Sequence, residues 1–174
     1  MSIKPVRDEF VIADDITLHY VQWGEQGKTI VGSHGMTRNA FFFQALADEL
    51  ANDHRFIAYD IRGRGDSDKP EDGYSVPIYA ADLASLIDET GIERPIMIGH
   101  SLGAFIALYF AAHYPDKLSK LILIDAGAPL AWQGFENQPA WLKTSISRIG
   151  IPFPSFKAYV ERLKAVPFLG PYWN

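Results

Sequence analysis

Residues 95–104 read PIMIGHSLGA and contain the most informative local pattern of the chain. The apolar residues before Gly99 predict a buried strand, and an apolar helical pattern begins at Leu102. Between them, Gly99, Ser101 and Gly103 form a Gly-x-Ser-x-Gly pattern, which predicts a sharp turn. In this setting the turn lifts the Ser101 hydroxyl above the sheet edge and aims the first N–H groups of the helix at the same point. These features favour a nucleophile that attacks a carbonyl group.

The two glycines of this pattern are expected for steric reasons. A Cβ at Gly99 or Gly103 would collide with the neighbouring strand or helix where the chain reverses, and Ser101 itself is expected to have a strained backbone. The pattern alone arises by chance with odds of roughly one in twenty, so the strand and helix around it carry the prediction. The alternative is a glycine-rich turn that packs a helix on a sheet and carries an incidental serine.

Strands alternate with helices on both sides of this turn. The chain is expected to open with a hairpin, 10–13 and 16–23, around the Asp14-Asp15 pair. Further strands are expected at 29–33, 55–59 and 121–124, the last one buried, and helices at 41–50 and 78–90, the second capped by Ser75. This order predicts right-handed crossovers and an α/β fold, a mainly parallel sheet with helices on both faces. The loops after the strands, 35–39, 60–68 and 125–129, should gather with the turn at one sheet edge.

The composition is that of an ordinary globular chain, with 174 residues, a net charge of −5 and 48% hydrophobic residues. Scattered basic residues and a mildly acidic balance argue against nucleic acid. The chain has no cysteine, which excludes disulfides and thiolate metal sites and suits a reducing, cytoplasmic location. No apolar run is long enough for a membrane span. No metal or cofactor is expected.

The character of the chain changes after residue 129. Nine of the 45 residues from 130 to 174 are aromatic, and five prolines divide this stretch into short segments. We expect a core domain at 1–129 and the beginning of a helical lid at 130–174. Trp132 and Trp141 are candidate contacts for a small apolar substrate. The alternative is that the aromatic residues only attach this segment to the core.

The chain resembles the α/β-hydrolase fold family, in particular its esterase-like members that carry a lid. Four stretches match in the family's order: SHGM at 33–36, DIRGRGDS at 60–67, GHSLG at 99–103 and LILID at 121–125. The second stretch includes Arg62 and Gly63, and we interpret it as a structural turn, because it lacks the lysine and helix start of a phosphate-binding loop. Asp60, Asp66 and Asp68 are expected to be loop and cap residues.

The resemblance implies a role for each matching position. Ser101 would be the nucleophile, and the backbone N–H groups of Met36 and Leu102 would form the oxyanion hole. The resemblance also places Gly35 and His100 in the substrate site. It treats the rings of His34 and His100 as structural, and it makes Asp125 a possible triad acid. Dehalogenase and epoxide-hydrolase relatives carry aspartate at the nucleophile position, so the serine points to an acyl-enzyme route, as in esterases, lactonases, carbon–carbon bond hydrolases or perhydrolases.

One part of the family pattern is missing. The triad runs serine, acid, histidine along the chain, but His113 is the only histidine after Ser101. It lies about three helical turns away, which is too far to act as the base. The last strands of the fold are absent as well. The chain is therefore expected to be either the front part of a longer hydrolase or a short product that no longer catalyses.

The strand at 121–124 would then have an unpaired apolar edge, which is an aggregation hazard. We expect a complementing C-terminal fragment, or a dimer, to cover it. The complete protein is expected to hydrolyse an ester or related acyl bond of a small, largely apolar substrate. The alternatives are a non-catalytic ligand-binding protein and an inactive truncation product.

Overall fold

The structure is a computed structural model that describes residues 3–126 and 152–164. The chain divides into two compact units, residues 1–129 and 130–174. In the second unit the described part contains one α-helix, Phe156–Lys164, and the ring of Phe153 meets that of Tyr159 edge-on at 5.2 Å. Trp132 and Trp141 lie outside the described residues.

The first unit is built on a six-stranded sheet. Its strands are β1 (Arg7–Ala13), β2 (Ile16–Trp23), β3 (Lys28–Ser33), β4 (His54–Tyr59), β5 (Ile96–His100) and β6 (Lys120–Ile124), and their order across the sheet is β1-β2-β4-β3-β5-β6. The pairs β1–β2 and β2–β4 are antiparallel, whereas β4, β3, β5 and β6 run parallel. The prediction of a mainly parallel sheet, with an N-terminal hairpin, is confirmed.

Helices cover both faces of this sheet. They are α1 (Gln44–Leu50), α2 (Val76–Glu89) and α3 (Leu102–His113), with 3₁₀ turns at Ala40–Phe43 and Pro115–Lys117. Successive strand residues point to opposite faces, so Val31 packs in the cluster with Leu83 of α2, whereas Ile30 packs with Ala47 of α1. No helix in the described ranges has the length and apolarity needed to cross a membrane.

The structure differs from two local predictions. Ser75 does occupy the N-cap position of α2, but its side chain makes no capping hydrogen bond. The strand at Lys120–Ile124 was expected to be buried, and that prediction was wrong. It pairs with β5 on one side only, and the side chains of Ile122 and Ile124 are 45% and 40% exposed. In the described part of the chain, β6 is therefore the unpaired apolar edge that the sequence also predicts.

Ion pairs hold the loop after β4 against α2. Arg62 donates from Nε and Nη2 to the two carboxylate oxygens of Asp82, at 2.9 and 2.7 Å, and both residues are buried. Gly65 has a φ of +50°, and a Cβ there would lie 1.9 Å from the Asp60 carboxylate. These contacts support the interpretation of this loop as a structural turn.

Candidate active site

Ser101 lies in the turn between β5 and α3, with φ 52° and ψ −115°. This backbone conformation is strained for a residue with a side chain, and such strain concentrates at functional sites. Its backbone N–H donates to the carbonyl oxygen of Ile124 at 3.0 Å. The end of β6 therefore helps to hold the turn in its strained form.

The glycines on either side of Ser101 allow close backbone approach. A Cβ at Gly103 would lie 1.9 Å from the carbonyl oxygen of Ser33, and one at Gly99 would lie 2.4 Å from the carbonyl oxygen of Gly103. Both contacts are far inside van der Waals distance and involve backbone atoms. The first turn of α3 thus rests directly on the end of β3, as the sequence predicts.

The loop after β3 lies against the serine. A Cβ at Gly35 would lie 3.0 Å from Nδ1 of His100 and 3.3 Å from Cβ of Ser101. Glycine at position 35 therefore lets this loop lie closer to the serine side chain than a residue with a Cβ would allow. The structure thus brings together three residues that the sequence predicts, Gly35, His100 and Ser101.

The two predicted oxyanion-hole residues flank this point. Met36 follows Gly35, and its carbonyl oxygen accepts a hydrogen bond from Nε of Arg64 at 3.3 Å. Leu102 opens α3, where backbone N–H groups have no partner inside the helix. Within residues 3–126 neither the Met36 N–H nor the Leu102 N–H has a hydrogen-bond acceptor. Both N–H groups are thus available to a ligand.

His34 serves the framework of the site. It is fully buried, its Nδ1 lies 2.7 Å from the carbonyl oxygen of Gly35, and its Nε2 accepts from the N–H of Ile61 at 3.1 Å. Burial lowers the pKa of His34 to about 4, so the ring is neutral near pH 7. It joins the loops after β3 and β4, as the resemblance implies.

His100 lies between the serine and an aromatic ring. Its ring stacks on Phe42 at 4.5 Å between centroids, and its buried Nδ1 has no hydrogen-bond partner in the described part. Nε2 lies 3.8 Å from a carboxylate oxygen of Asp125, which is too far for a hydrogen bond. Burial lowers the pKa of His100, although the carboxylate of Asp125 acts in the opposite direction.

None of the chain's five histidines provides a base for Ser101. His34 is hydrogen-bonded as described, the ring of His100 stacks on Phe42, and His19 bridges Asp8 and Asp60 with two contacts of 2.8 Å. His54 begins β4 at the opposite end of the strands. Nδ1 of His113 bonds to the carbonyl oxygen of Tyr109, and this residue lies about 18 Å along α3 from Ser101. The Ser101 hydroxyl has no hydrogen-bond partner in the described ranges.

Asp125, the possible triad acid, follows β6 with a φ of 56°. Its side chain is 81% exposed. The carboxylate lies on the same sheet edge as Ser101, because both residues follow parallel strands that pair with each other. It is open to a partner from elsewhere in the protein.

Asp60 connects more of the site's framework than the sequence indicated. One carboxylate oxygen accepts from the N–H of Ala40 at 2.6 Å. The other accepts from the N–H of Asp66 and from His19, both at 2.8 Å. Burial lowers the pKa of His19, but its hydrogen bonds to the two aspartates outweigh this, so the pKa is raised overall.

This cluster does not favour a metal ion. The side chains of His19, Asp60 and Asp66 offer ligand atoms within 4.8 Å of one another. The ring nitrogen that faces Asp60 is already hydrogen-bonded to it, and the same carboxylate oxygen also accepts a backbone N–H. A metal would displace these bonds, so the group fits a structural network.

Two clefts in the described part lie away from this site. They measure about 390 and 410 Å³ and lie at the opposite edge of the sheet, where β3 and β5 begin. The first is lined by Lys28, Arg55 and Arg94 among others. The apolar substrate pocket predicted around Trp132 and Trp141 falls on residues that are not described.

Comparison with known proteins identifies the family. Residues 28–167 match the family model of the alpha/beta hydrolase fold, and the chain belongs to this family. Among curated relatives it is 41% identical over 110 residues to 2-(acetamidomethylene)succinate hydrolase of Mesorhizobium japonicum, covering 63% of this chain and 39% of that protein. It is 33% identical over 148 residues to 3-hydroxybutyrate-oligomer hydrolase of Cupriavidus necator, covering 83% and 48%.

Solved structures give the same result. Cfl2 from Burkholderia cenocepacia matches with a TM-score of 0.71 at 32% identity, covering 84% of this chain and 53% of that one. The crystal structure of E-2-(acetamidomethylene)succinate hydrolase matches with a TM-score of 0.66 at 37% identity, covering 70% and 45%. The chain spans less than half the length of the two curated relatives above. Both curated relatives are named as hydrolases.

Proposed function

We propose that this chain supplies the nucleophile of a serine hydrolase that cleaves an ester or related acyl bond of a small, largely apolar substrate. The observation that carries the proposal is Ser101, strained at the end of β5, beside the two free N–H groups of Met36 and Leu102. Its unpartnered hydroxyl is open to a substrate carbonyl. A carboxylesterase-like enzyme fits this arrangement best.

The reaction would proceed in two halves. A base takes the proton of the Ser101 hydroxyl while the oxygen attacks the carbonyl carbon, and the Met36 and Leu102 N–H groups bind the resulting oxyanion. Such donors typically lower the barrier by roughly 3 to 4 kcal/mol each. The leaving alcohol departs with the proton from the base, which leaves an acyl-enzyme. Water, deprotonated by the same base, then releases the acid and restores the serine.

We propose that the base comes from outside these 174 residues, because no histidine is hydrogen-bonded to the Ser101 hydroxyl in the described ranges. The greater length of the relatives supports this. Asp125 is our candidate for the triad acid, since its exposed carboxylate follows β6 at the site edge. A C-terminal fragment of the same protein, or a second copy, would pair with the free edge of β6. A cytoplasmic location is proposed from the absence of cysteine.

A second candidate function is a ligand-binding protein without turnover. The observation that favours it is the lack of any base beside the Ser101 hydroxyl in the described ranges. Such a protein would use the same site to hold a small molecule. An inactive truncation product would show neither binding nor turnover.

A fluorophosphonate probe distinguishes these functions. The full-length protein should gain the mass of the probe on Ser101, and S101A should not. S119A is a matched control, because Ser119 is exposed at the opposite sheet edge and should leave labelling unchanged. A folded protein that binds esters without labelling would overturn the nucleophile assignment and support the binding role.

A further inference from the structure

Arg38 carries a positive charge at the edge of the candidate site. It lies in the loop after β3, where its backbone N–H donates to the carbonyl oxygen of Gly35 at 3.1 Å. Its side chain is exposed, and Cζ lies 5.8 Å from the centroid of the Phe42 ring. In residues 3–126 and 152–164 the guanidinium makes no ion pair and no hydrogen bond.

Two ring contacts connect this charge to the nucleophile. The Phe42 ring below Arg38 stacks on His100, which directly precedes Ser101. Burial lowers the pKa of His100, Asp125 opposes this, and the charge of Arg38 adds to it. The positive charge of Arg38 therefore acts on the His100 ring, which precedes Ser101 in the chain.

Two other arginines near this edge, Arg62 and Arg64, already have hydrogen-bond acceptors for their guanidinium groups. Arg62 forms a two-point ion pair with Asp82. Arg64 donates to the carbonyl oxygens of Met36 and Arg62 and to the hydroxyl of Tyr79. Arg38 differs from both, because its donors point to no acceptor in the described part. A guanidinium offers paired N–H donors that match a carboxylate.

We propose that Arg38 forms a carboxylate-binding subsite, so that the acyl substrate carries a carboxylate beyond the bond to be cleaved. Phe42 is 39% exposed and would pack against the apolar part between the carboxylate and the carbonyl. A carboxylate fits better than a phosphate dianion, because one arginine balances a single negative charge. This inference rests on the proposed function and names its substrate class.

A pair of boronic acids tests the subsite. Boron accepts the Ser101 oxygen and becomes tetrahedral, as the carbonyl carbon does. The probes are 3-carboxyphenylboronic acid and its neutral amide, 3-carbamoylphenylboronic acid, titrated calorimetrically against the full-length protein. The carboxylate probe should bind about fivefold more tightly than the amide, because the guanidinium is solvent-exposed. The R38Q variant should abolish this preference without changing the affinity for the amide.

A matched control is R94Q, since Arg94 is an exposed arginine at the opposite sheet edge. It should keep the preference. Equal binding of both probes, or an unchanged ratio in R38Q, would overturn the subsite and leave the hydrolase proposal standing. Tighter binding of a phosphonate analogue would overturn the choice of carboxylate.

Failure of both boronic acids to bind Ser101 would count against the proposed function instead. The subsite is then tested separately in S101A, where no covalent bond can form. Benzoate should shift the backbone amide resonance of Arg38 in a nitrogen-edited NMR spectrum, and benzamide should not. If neither compound shifts it, the subsite is overturned on its own.

Discussion

Helix propensity and packing predict opposite effects on stability when Gly103 is replaced with alanine. Gly103 is the second residue of α3, and alanine is better than glycine in a helix by about 1 kcal/mol. Propensity alone therefore predicts a more stable protein. The structure predicts the reverse, because the new Cβ would lie 1.9 Å from the carbonyl oxygen of Ser33.

The size of the effect follows from this contact. Real Cβ atoms essentially never come closer than 3.0 Å to such an atom, so α3 and β3 must separate by about 1 Å (3.0 − 1.9). Both are backbone segments at the centre of the sheet, where no rotamer change relieves the clash. Overpacking typically destabilises by roughly 1–3 kcal/mol. We expect the upper end of this range for G103A, with loss of Ser101 labelling.

Urea unfolding followed by circular dichroism measures this effect. G91A is the control, because Gly91 has a φ of +62° and nothing lies within 4 Å of its Cβ position. The free energy of unfolding of G91A should fall by only roughly 1–2 kcal/mol, which is the cost of a left-handed backbone conformation for a residue with a Cβ. Ser101 should still be labelled in this variant. A G103A protein as stable as the wild type would refute the steric account of this turn.

Two further predictions concern the buried framework of the site. D60N should lower the free energy of unfolding in urea by roughly 3 kcal/mol, because it removes a buried charge that holds three donors. D66N should change it by less than about 0.5 kcal/mol, since that side chain is exposed; equal losses would contradict the network. The pKa of His34 is lowered to about 4 from 6.5, so the stability it contributes is present above pH 6.5 and lost as the pH falls toward 4. Between pH 6.5 and pH 4 the free energy of unfolding of the wild type should therefore fall by about 3 kcal/mol more than that of H34N. If the two proteins lose stability in parallel over this interval, the His34 ring is not buried in its neutral form.

Local patterns predict the turn around Ser101 well. The strand, the glycines and the helix starting at Leu102 all agree with the structure, because each depends on near neighbours in sequence. His34 also follows the family pattern. The role of Asp60 could not be read in the same way. Its contact with His19 spans 41 positions, and no local signal distinguishes a buried aspartate of this kind from an ordinary loop residue.

The strand β6 shows a second limit of prediction from the sequence. An apolar run such as Leu121–Ile124 predicts burial, but the side chains of a parallel strand are buried only where both faces of the sheet are covered. Leu121 and Leu123 on one face are partly buried, whereas Ile122 and Ile124 on the other face are exposed. The same limit applies to a base for Ser101, which no pattern in these 174 residues supplies.

The hydrogen bond from the Ser101 N–H to the carbonyl oxygen of Ile124 makes the turn around Ser101 dependent on the edge strand of the sheet. An edge strand frays more readily than an interior one, and each opening of β6 would release the serine from its strained conformation. Covering β6 would therefore do more than protect apolar surface. A segment or partner that paired with β6 would also hold the backbone of Ser101 in place, so that the pairing itself would control the conformation of the serine.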